Sequence, residues 1–314
     1  MCQVSVLMPM RNAARYVRAA LLSVLSQTDA DFEVVVVDDG STDSSADLVR
    51  ALGDPKVQLV AGPCGGISVA LNRALELARG HYVARCDADD LFPPGRLAWQ
   101  VRWLDTHPAH TAVAGGYVTM SRSGQPIADA DTGAHPADIT PELRNGRTRT
   151  HLGTFMVRRA ALRDVGGFRP YFVTAEDIDL QLRLGEAGTV WYEPVPSYQH
   201  RLHDDSITYS LGVEARAFYE RTARHFQQQR KAGGGDDLDR NCPPLPPESL
   251  VSPPSSASGQ IQGMLVTNSW REHRNGHRIR ALTTGWRAVM TKPGNLRAWQ
   301  NLGALALRRP KDEP

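Results

Sequence analysis

Residues 32–41 read FEVVVVDDGS, an apolar run that ends in two aspartates, a glycine and a serine. Four consecutive valines without polar alternation predict a strand that is buried on both faces, which is the usual situation inside a parallel sheet. Apolar residues at helical spacing follow at 44–52. The stretch therefore predicts one strand-then-helix unit of a parallel α/β fold.

The same unit recurs along the first 120 residues. Compact apolar runs lie at 4–8, 57–61 and 82–86, and helical patterns follow at 13–25, 67–78 and 96–106. Four such units in succession predict an α/β fold with a doubly wound, mostly parallel sheet flanked by helices. Beyond this region the pattern is less regular, with strands predicted at 154–157 and 197–201 and helices at 176–186 and 212–229.

Composition divides the chain into three predicted segments. Residues 1–230 hold the α/β pattern, whereas residues 231–259 contain six prolines, a glycine triplet and clustered serines, which is typical of a flexible linker. Residues 260–314 form a predicted basic tail of two or three helices. Residues 261–314 contain ten Lys or Arg and three Asp or Glu, a local balance of +7 in a chain of net charge +2.

The basic tail has two open interpretations. A basic, Trp-containing segment is expected to contact an anionic membrane surface peripherally, or to serve only as exposed solubilising charge. No stretch approaches eighteen uncharged apolar residues, and the first residues lack the basic start and apolar block of a secretory signal. The four cysteines are scattered without paired spacing, so no zinc knuckle or disulfide framework is predicted. We expect a cytoplasmic protein, peripheral at most to the inner face of the membrane, with no nucleic-acid partner.

Two groups of aspartates follow predicted strands of the sheet. Asp38 and Asp39 end the run quoted above, and DADD at 87–90 follows the fourth strand. Because ligands of a parallel α/β sheet bind at the carboxyl ends of its strands, we expect both groups to open onto the same edge. Carboxylates there are suited to hard-cation binding, to hydrogen bonds with a ribose or base, or to acid–base chemistry.

Each group also has a purely structural interpretation. Asp89 with Asp87 fits a Mg²⁺ or Mn²⁺ site, because such sites use one or two carboxylates and leave the other positions to phosphate and water. DADD can instead be an acidic turn that caps the next helix, and so can the aspartate pair after the second strand. Glu176 and Asp177 lie in the first turn of a predicted helix, where acids are common through the helix dipole alone.

The ordered set of motifs is more specific than any one of them. The motifs are SVLMPMRNAARYVRAALLSVLSQT, FEVVVVDDGSTDSSADLV, GGISVALNRAL, GHYVARCDADDLFPPGRL and VGGFRPYFVTAEDIDLQLRL. In this order and at these intervals the chain resembles family 2 glycosyltransferases of the GT-A fold, over residues 3–210. The resemblance implies an inverting transfer of a sugar from a nucleotide-sugar donor, expected to be a UDP-sugar, to a hydroxyl group.

The resemblance also assigns roles to individual residues. In similar enzymes a carboxylate in the place of Asp177 takes the proton from the acceptor hydroxyl, and Glu176 beside it would raise the pKa of this base or orient its loop. Asp89 would bind the cation, Mg²⁺ or Mn²⁺, and His203 would complete the metal sphere or touch the diphosphate. The implied contacts to the donor are Pro9, Asp38, Asp39 and Asn72, together with Asp87, which would meet the ribose or the metal's water; Asp90 would be structural and His151 a substrate contact.

The sequence leaves three functions open. The first is a metal-dependent glycosyltransferase that acts on a glycan or a lipid-linked saccharide in cell-surface polysaccharide synthesis. The second is a sugar-phosphate nucleotidyltransferase, which usually has a Gly-rich phosphate loop after the first strand, where this chain reads MPMRNAARYV. The third is a catalytically inactive GT-A binding module. No QxxRW motif follows Asp177, which argues against a processive synthase of the cellulose or chitin kind.

Overall fold

The computed structural model of the protein describes residues 2–130, 132–206, 211–246 and 256–308. Within these ranges one sheet contains nine strands: β1 Val4–Met10, β2 Phe32–Asp38, β3 Val57–Ala61, β4 Tyr82–Arg85, β5 Ala112–Met120, β6 Pro126–Asp129, β7 Ala137–Asp138, β8 Met156–Arg158 and β9 Val190–Arg201. The helices are α1 Val17–Leu25, α2 Ser45–Leu52, α3 Ile67–Leu77, α4 Arg96–Thr106, α5 Thr140–Arg144, α6 Arg159–Asp164, α7 Glu176–Ala187, α8 Val213–Ala232, α9 Ala257–Arg274, α10 Arg278–Thr291 and α11 Leu296–Leu307.

The valine run forms β2, which lies between β1 and β3 in the interior of the sheet. Val34 and Val36 face a core that contains residues of α1, α2 and α4, and Val35 and Val37 face a second core that contains residues of α3, α6 and α7. All four side chains are fully buried. The predicted burial on both faces is confirmed, because helices cover both sides of the sheet.

Strand order combines a parallel part with an antiparallel extension. The order is β3-β2-β1-β4-β8-β5-β9-β7, and β6 pairs with β5. β1 pairs in parallel with β2 and with β4, and β2 pairs in parallel with β3. β8 is antiparallel to both β4 and β5, so β5 runs in the same direction as the first four strands. The predicted mostly parallel α/β sheet is confirmed.

Contacts divide the chain into two compact units. The first unit contains the described residues of Met1–Tyr117, Ala130–His200 and Arg216–Glu248. The second unit contains those of Val118–Asp129, Arg201–Ala215 and Ser249–Pro314. This division differs from the predicted boundary at residue 230, because the second unit draws on three separate segments of the chain.

The predicted basic tail forms three helices, α9, α10 and α11, within the second unit. Ala257 and Leu265 of α9 and Ala288 of α10 share a small core with Ile127 and Leu202. The burial of these apolar residues gives the second unit a core of its own. Residues 309–314 of the predicted tail lie outside the described residues.

Residues 233–246 were predicted as part of a flexible linker, but the structure packs them within the first unit. Asp236 is fully buried, and its Oδ2 accepts hydrogen bonds from Arg169 Nη1 and Arg230 Nη1, both at 2.5 Å. Tyr171 Oη donates to the carbonyl of Pro244 at 2.6 Å. Composition alone suggested flexibility, whereas paired buried charges fix this stretch. The remaining linker residues 247–255 lie outside the described residues.

Candidate active site

The carboxyl ends of β2, β1 and β4 lie side by side. In the register of the sheet, Leu7 of β1 pairs with Arg85 at the end of β4, and Pro9 pairs with Val37 near the end of β2. Pro9 is buried within β1. The aspartate pair after β2 and the DADD turn after β4 therefore leave the sheet from the same edge, as the sequence predicted.

Both aspartates after β2 hold backbone N–H groups. Asp38 Oδ1 accepts from the backbone N–H of Ser41 at 3.0 Å. Asp39 is buried, and its two carboxylate oxygens accept from the N–H groups of Gly65 at 3.0 Å and Gly66 at 2.8 Å. Asp39 thus fixes the loop that precedes α3. Each carboxylate oxygen can accept a further hydrogen bond, so these contacts leave room for a ligand.

Arg85 joins the end of β4 to the start of α7. Its Nε and Nη2 donate to Asp87 Oδ1 at 2.7 Å and Oδ2 at 3.0 Å, and its Nη1 donates to Glu176 Oε1 at 3.0 Å. The side chains of Arg85 and Glu176 are each 8% exposed and that of Asp87 is 18% exposed. Burial alone would lower the pKa of Arg85, but the two carboxylates raise it well above its usual value. One guanidinium therefore orients two of the predicted site residues.

Glu176 and Asp177 begin α7 after a residue with an unusual backbone. Ala175 has φ 62°, in the left-handed region, which costs a residue with a side chain about 1–2 kcal/mol. Burial raises the pKa of Glu176 to about 7; the attraction of Arg85 opposes this shift and the charge of Asp177 adds to it. Glu176 is therefore protonated near neutrality more readily than an ordinary carboxyl.

Asp177 itself is half-buried, and its carboxylate makes no hydrogen bond or ion pair with the residues that the structure describes. Burial raises the pKa of Tyr117, and the charge of Asp177 adds to the shift, which places the two groups near one another. A carboxylate without an internal donor keeps its lone pairs available for a proton from a bound molecule. Among the predicted site residues this is the arrangement that a general base requires.

The end of β9 closes against the DADD turn. Leu91 and Gln199 exchange two backbone hydrogen bonds, at 3.1 and 2.9 Å, and the N–H of Asp87 donates to Tyr198 Oη at 3.0 Å. His200 Nδ1 lies 3.2 Å from Asp90 Oδ2. Asp90 is almost fully buried, which agrees with its predicted structural role.

The negative charges of the DADD turn determine the protonation state of the His200 ring. Burial alone would lower the pKa of His200, but its bond to Asp90 and the charges of Asp89 and Asp87 raise it to about 9. His200 is therefore a cation at neutral pH and donates to Asp90.

A neutral histidine lies beside this cation. The ring of His151 stacks on His200 with centroids 5.0 Å apart and on Tyr198 with centroids 5.3 Å apart. Its Nδ1 accepts from the N–H of Gly153 at 3.0 Å, so a neutral ring carries its proton on Nε2. Burial and the nearby His200 lower the pKa of His151 well below its usual value. His151 was predicted as a substrate contact, and the structure places it in the wall next to the DADD turn.

Asn72 has a different environment from the one that its predicted donor contact requires. Its Nδ2 donates to the carbonyl of Phe168 at 2.6 Å, and its Oδ1 accepts from the N–H of the same residue at 2.8 Å. Both halves of the amide are therefore used to hold the segment before α7. A donor contact through Asn72 would have to compete with these two bonds.

The metal prediction rests on Asp89, which is half-buried in the DADD turn. Among the described residues no three His, Cys, Asp or Glu side chains form a metal site by themselves. A site with one or two carboxylates and ligand oxygens from phosphate and water is common for Mg²⁺, so Asp89 with Asp87 fits such a cation. His203, the other predicted ligand, is buried in the second unit, with Nδ1 3.9 Å from Asp205 Oδ2.

The sequence model described as "Glycosyl transferase family 2" matches residues 5–173. The chain belongs to this family. A putative glycosyltransferase EpsE of Bacillus subtilis is 31% identical over 225 residues, which are 67% of this chain and 78% of that protein. The chain is a glycosyltransferase, as the sequence predicted.

Longer family 2 relatives share only a part of their length with this chain. A hyaluronan synthase of Pasteurella multocida is 28% identical over 214 residues, 67% of this chain and 22% of the relative. A chondroitin synthase of the same species is 29% identical over 207 residues, 65% of this chain and 21% of the relative. The chain therefore spans about a fifth of the length of these synthases.

Solved structures show the fold. The TarS 1–349 fragment of S. aureus in complex with UDP-GlcNAc has a TM-score of 0.62 at 18% identity, over 96% of this chain and 83% of that one. The mannosyltransferase PcManGT of Pyrobaculum calidifontis, in complex with GDP-Man and Mn²⁺, has a TM-score of 0.55 at 22% identity, over 98% and 81%. The likeness confirms the predicted GT-A fold. No helix in the described part of this family 2 chain is both long and apolar enough to cross a bilayer.

Three residues of this candidate site were missed by sequence reasoning. Arg85 ends an apolar strand, Tyr198 lies within β9, and His200 lies three residues before the histidine that the family resemblance selected. A charged residue in the buried run YVAR was the available signal, because a buried arginine requires an acidic partner. The sequence offered no comparable signal for Tyr198 or His200, whose partners are 111 and 110 residues away.

Proposed function

We propose that this family 2 enzyme is an inverting, metal-dependent glycosyltransferase in which Asp177 is the general base. The donor would be a nucleoside-diphosphate sugar, with a UDP-sugar as the expected case. The acceptor would be a hydroxyl group of a glycan or of a lipid-linked saccharide in cell-surface polysaccharide synthesis, met at the cytoplasmic face of the membrane.

The observation that carries the proposal is the ion cluster around Arg85. Its guanidinium binds Asp87 after β4 and Glu176 at the start of α7, so the strand end and the helix start share one rigid link. Asp177 follows Glu176 directly and makes no bond that would occupy its carboxylate among the described residues. A base held next to a fixed anchor, with its oxygens available, is suited to accept a proton in a defined direction.

The donor side of the proposal rests on the loops after β1 and β2. Asp38, Asp39 and Pro9 lie at one edge of the sheet, where the ligands of such folds bind. Two solved structures of similar fold contain UDP-GlcNAc or GDP-Man, which supports a nucleoside-diphosphate sugar as the class of donor. Asp39 is proposed to bind the base or ribose through the lone pairs that Gly65 and Gly66 leave available.

A divalent cation bound by Asp89, with Asp87 beside it, would supply positive charge to the departing diphosphate. The residues of the chain do the rest. Asp177 would accept the proton of the acceptor hydroxyl as its oxygen attacks the anomeric carbon from the side opposite the nucleoside diphosphate. One displacement of this kind inverts the anomeric configuration. Arg85 would keep Asp87 aligned through the turnover.

The test is a panel of UDP- and GDP-sugars, incubated with acceptor oligosaccharides and with Mn²⁺, Mg²⁺ or a chelator. Release of nucleoside diphosphate indicates a glycosyltransferase, whereas consumption of added pyrophosphate with formation of nucleoside triphosphate and sugar 1-phosphate indicates a nucleotidyltransferase. Asp177→Asn should lower turnover about 10²–10⁴-fold, which is the range of general base catalysis. The matched control is Asp47→Asn, the same change on the exposed surface of α2.

Two results would refute the proposal. The first is that no donor is bound or turned over with either cation. The second is that Asp177→Asn behaves like the Asp47→Asn control.

A further inference from the structure

The second unit has a surface on α10 and α11 on which large apolar side chains face solvent. Six such residues are 43–86% exposed: Ile279, Trp286, Met290, Leu296, Trp299 and Leu307. Isolated exposed apolar residues are normal, but a contiguous set of this size marks a surface that another body covers. We call this set the apolar surface of the second unit.

The sequence of α10 places its exposed residues on one side of the helix. Ile279, Thr283, Trp286 and Met290 recur at i, i+4, i+7 and i+11, which is a single stripe along an α-helix. The opposite stripe, which includes Ala281, Ala288 and Val289, is buried in the second unit. The helix therefore carries two apolar stripes, and the unit's own core uses only one of them.

The helix α11 repeats the arrangement and continues the surface. Leu296, Trp299 and Leu307 recur at i, i+3 and i+11, while Ala298 and Leu305 are buried. The rings of Trp286 and Trp299 meet edge to face with centroids 5.9 Å apart. This contact joins the two stripes into one apolar surface.

The charged residues in the sequence of these two helices have a single sign. Residues 273–308 contain seven cations and no Asp or Glu: Arg274, Arg278, Arg280, Arg287, Lys292, Arg297 and Arg308. None of the seven forms a salt bridge with a residue that the structure describes. An interface with a second copy of the chain would bring these like charges together, whereas an anionic surface would neutralise them.

We propose that the apolar surface of α10 and α11 binds an anionic lipid bilayer in its interfacial region. Exposed Trp, Ile, Leu and Met side chains enter the boundary between headgroups and acyl chains, and the surrounding Arg and Lys side chains bind lipid phosphates. Tryptophan is suited to this depth, because its ring is apolar and its N–H is polar. The proposal deepens the lipid-linked acceptor of the proposed function, but it requires no catalysis.

The test measures binding of the full chain to vesicles, without donor or acceptor. Wild type should float with vesicles that contain phosphatidylglycerol and bind pure phosphatidylcholine vesicles much more weakly, and added salt should weaken binding. Ile279→Glu should weaken binding to the anionic vesicles at least about tenfold, because it removes an apolar contact and adds a repelled charge. Leu245→Glu is the matched control, since Leu245 is 83% exposed and Ile279 is 81% exposed.

Tryptophan fluorescence tests the same binding independently, in case Ile279→Glu folds poorly. The fluorescence of wild type should shift to shorter wavelength on addition of anionic vesicles, and Trp286→Phe/Trp299→Phe should remove most of that shift. Equal loss of binding in Ile279→Glu and Leu245→Glu would overturn the proposal. Equal binding of wild type to both kinds of vesicle would also overturn it. The same holds if wild type binds no vesicles and instead forms a dimer that Ile279→Glu dissociates. Donor turnover by wild type, assayed without lipid, reports separately on the proposed function.

Discussion

Removal of Arg85 should destabilise the protein because it leaves two carboxylates without their cation. Arg85→Met keeps much of the aliphatic volume but deletes three charge-assisted hydrogen bonds, two to Asp87 and one to Glu176. Loss of one partner from a buried ion pair typically costs about 3–5 kcal/mol. The side chains of Arg85 and Glu176 are only 8% exposed, so solvent screens little of this cost. We expect the free energy of unfolding of the first unit to fall by about 3–5 kcal/mol at pH 8.

The deficit of Arg85→Met should depend on pH with a defined sign. With Arg85 present the pKa of Glu176 is about 7, and the loss of the cation raises it further. A carboxyl whose pKa is higher in the folded than in the unfolded state contributes stability at low pH, and this contribution is lost as the pH rises through the folded pKa. The part of the deficit that comes from Glu176 should therefore be smallest between pH 5 and 6 and largest above pH 8, while the loss of the bonds to Asp87 remains.

Urea unfolding of wild type and variant at pH 5.5 and pH 8 measures this prediction. Arg50→Met is the control, because Arg50 pairs with Asp47 on an exposed helix surface, where such pairs contribute about 0–1 kcal/mol. The double variant Arg85→Met/Glu176→Met should recover part of the loss, since it also removes a stranded carboxylate. A deficit below about 1 kcal/mol at pH 8, or one that does not change with pH, would show that Arg85 does not hold the site together.

Three further predictions concern single side chains. Asp89→Ala should abolish metal-dependent turnover, whereas Asp90→Ala should mainly destabilise the fold, by about 1–3 kcal/mol, because it removes the acceptor of His200. Similar losses of turnover and stability in both variants would contradict the assigned roles. In wild type, kcat/KM should fall as the pH drops through about 7, because protonation of Glu176 removes a negative charge beside Asp177. Glu176→Gln should remove this acid limb from the pH profile. An unchanged limb would assign it to another group. Asn72→Ala should lower the unfolding free energy by about 1–3 kcal/mol through the loss of both bonds to Phe168, with little effect on KM for the donor; the reverse outcome, in KM alone, would restore the predicted donor contact.

Local sequence patterns predicted the layers of the fold because short-range periodicity determines them. The strand at Val57–Ala61 and the helix at Arg96–Thr106 have the bounds that the pattern indicated. The valines of β2 could be assigned to a parallel interior because no polar alternation marked an exposed face. The bounds of these elements and the burial of β2 therefore follow from patterns of a few neighbouring residues.

The side-chain contacts of the site could not be predicted in the same way, because they join distant parts of the chain. Asn72 meets Phe168 across 96 residues, and Arg85 meets Glu176 across 91. The hydrogen-bond partner of a buried polar group depends on the tertiary packing, and the local periodicity of the sequence does not indicate it. The linker composition of residues 233–246 likewise gives no sign of their contacts, since Asp236 accepts hydrogen bonds from Arg169, 67 residues earlier, and from Arg230.

The core of the second unit limits how the chain can be shortened. Ile127 and Leu202 are buried against Ala257, Leu265 and Ala288, and these residues come from three separated segments. A protein cut after α8 would keep the first two segments and lose the third, so Ile127 and Leu202 would face water. Exposed apolar edges of this kind favour aggregation. Removal of the basic tail would therefore test solubility together with membrane binding, whereas single substitutions at the surface of α10 test the binding alone.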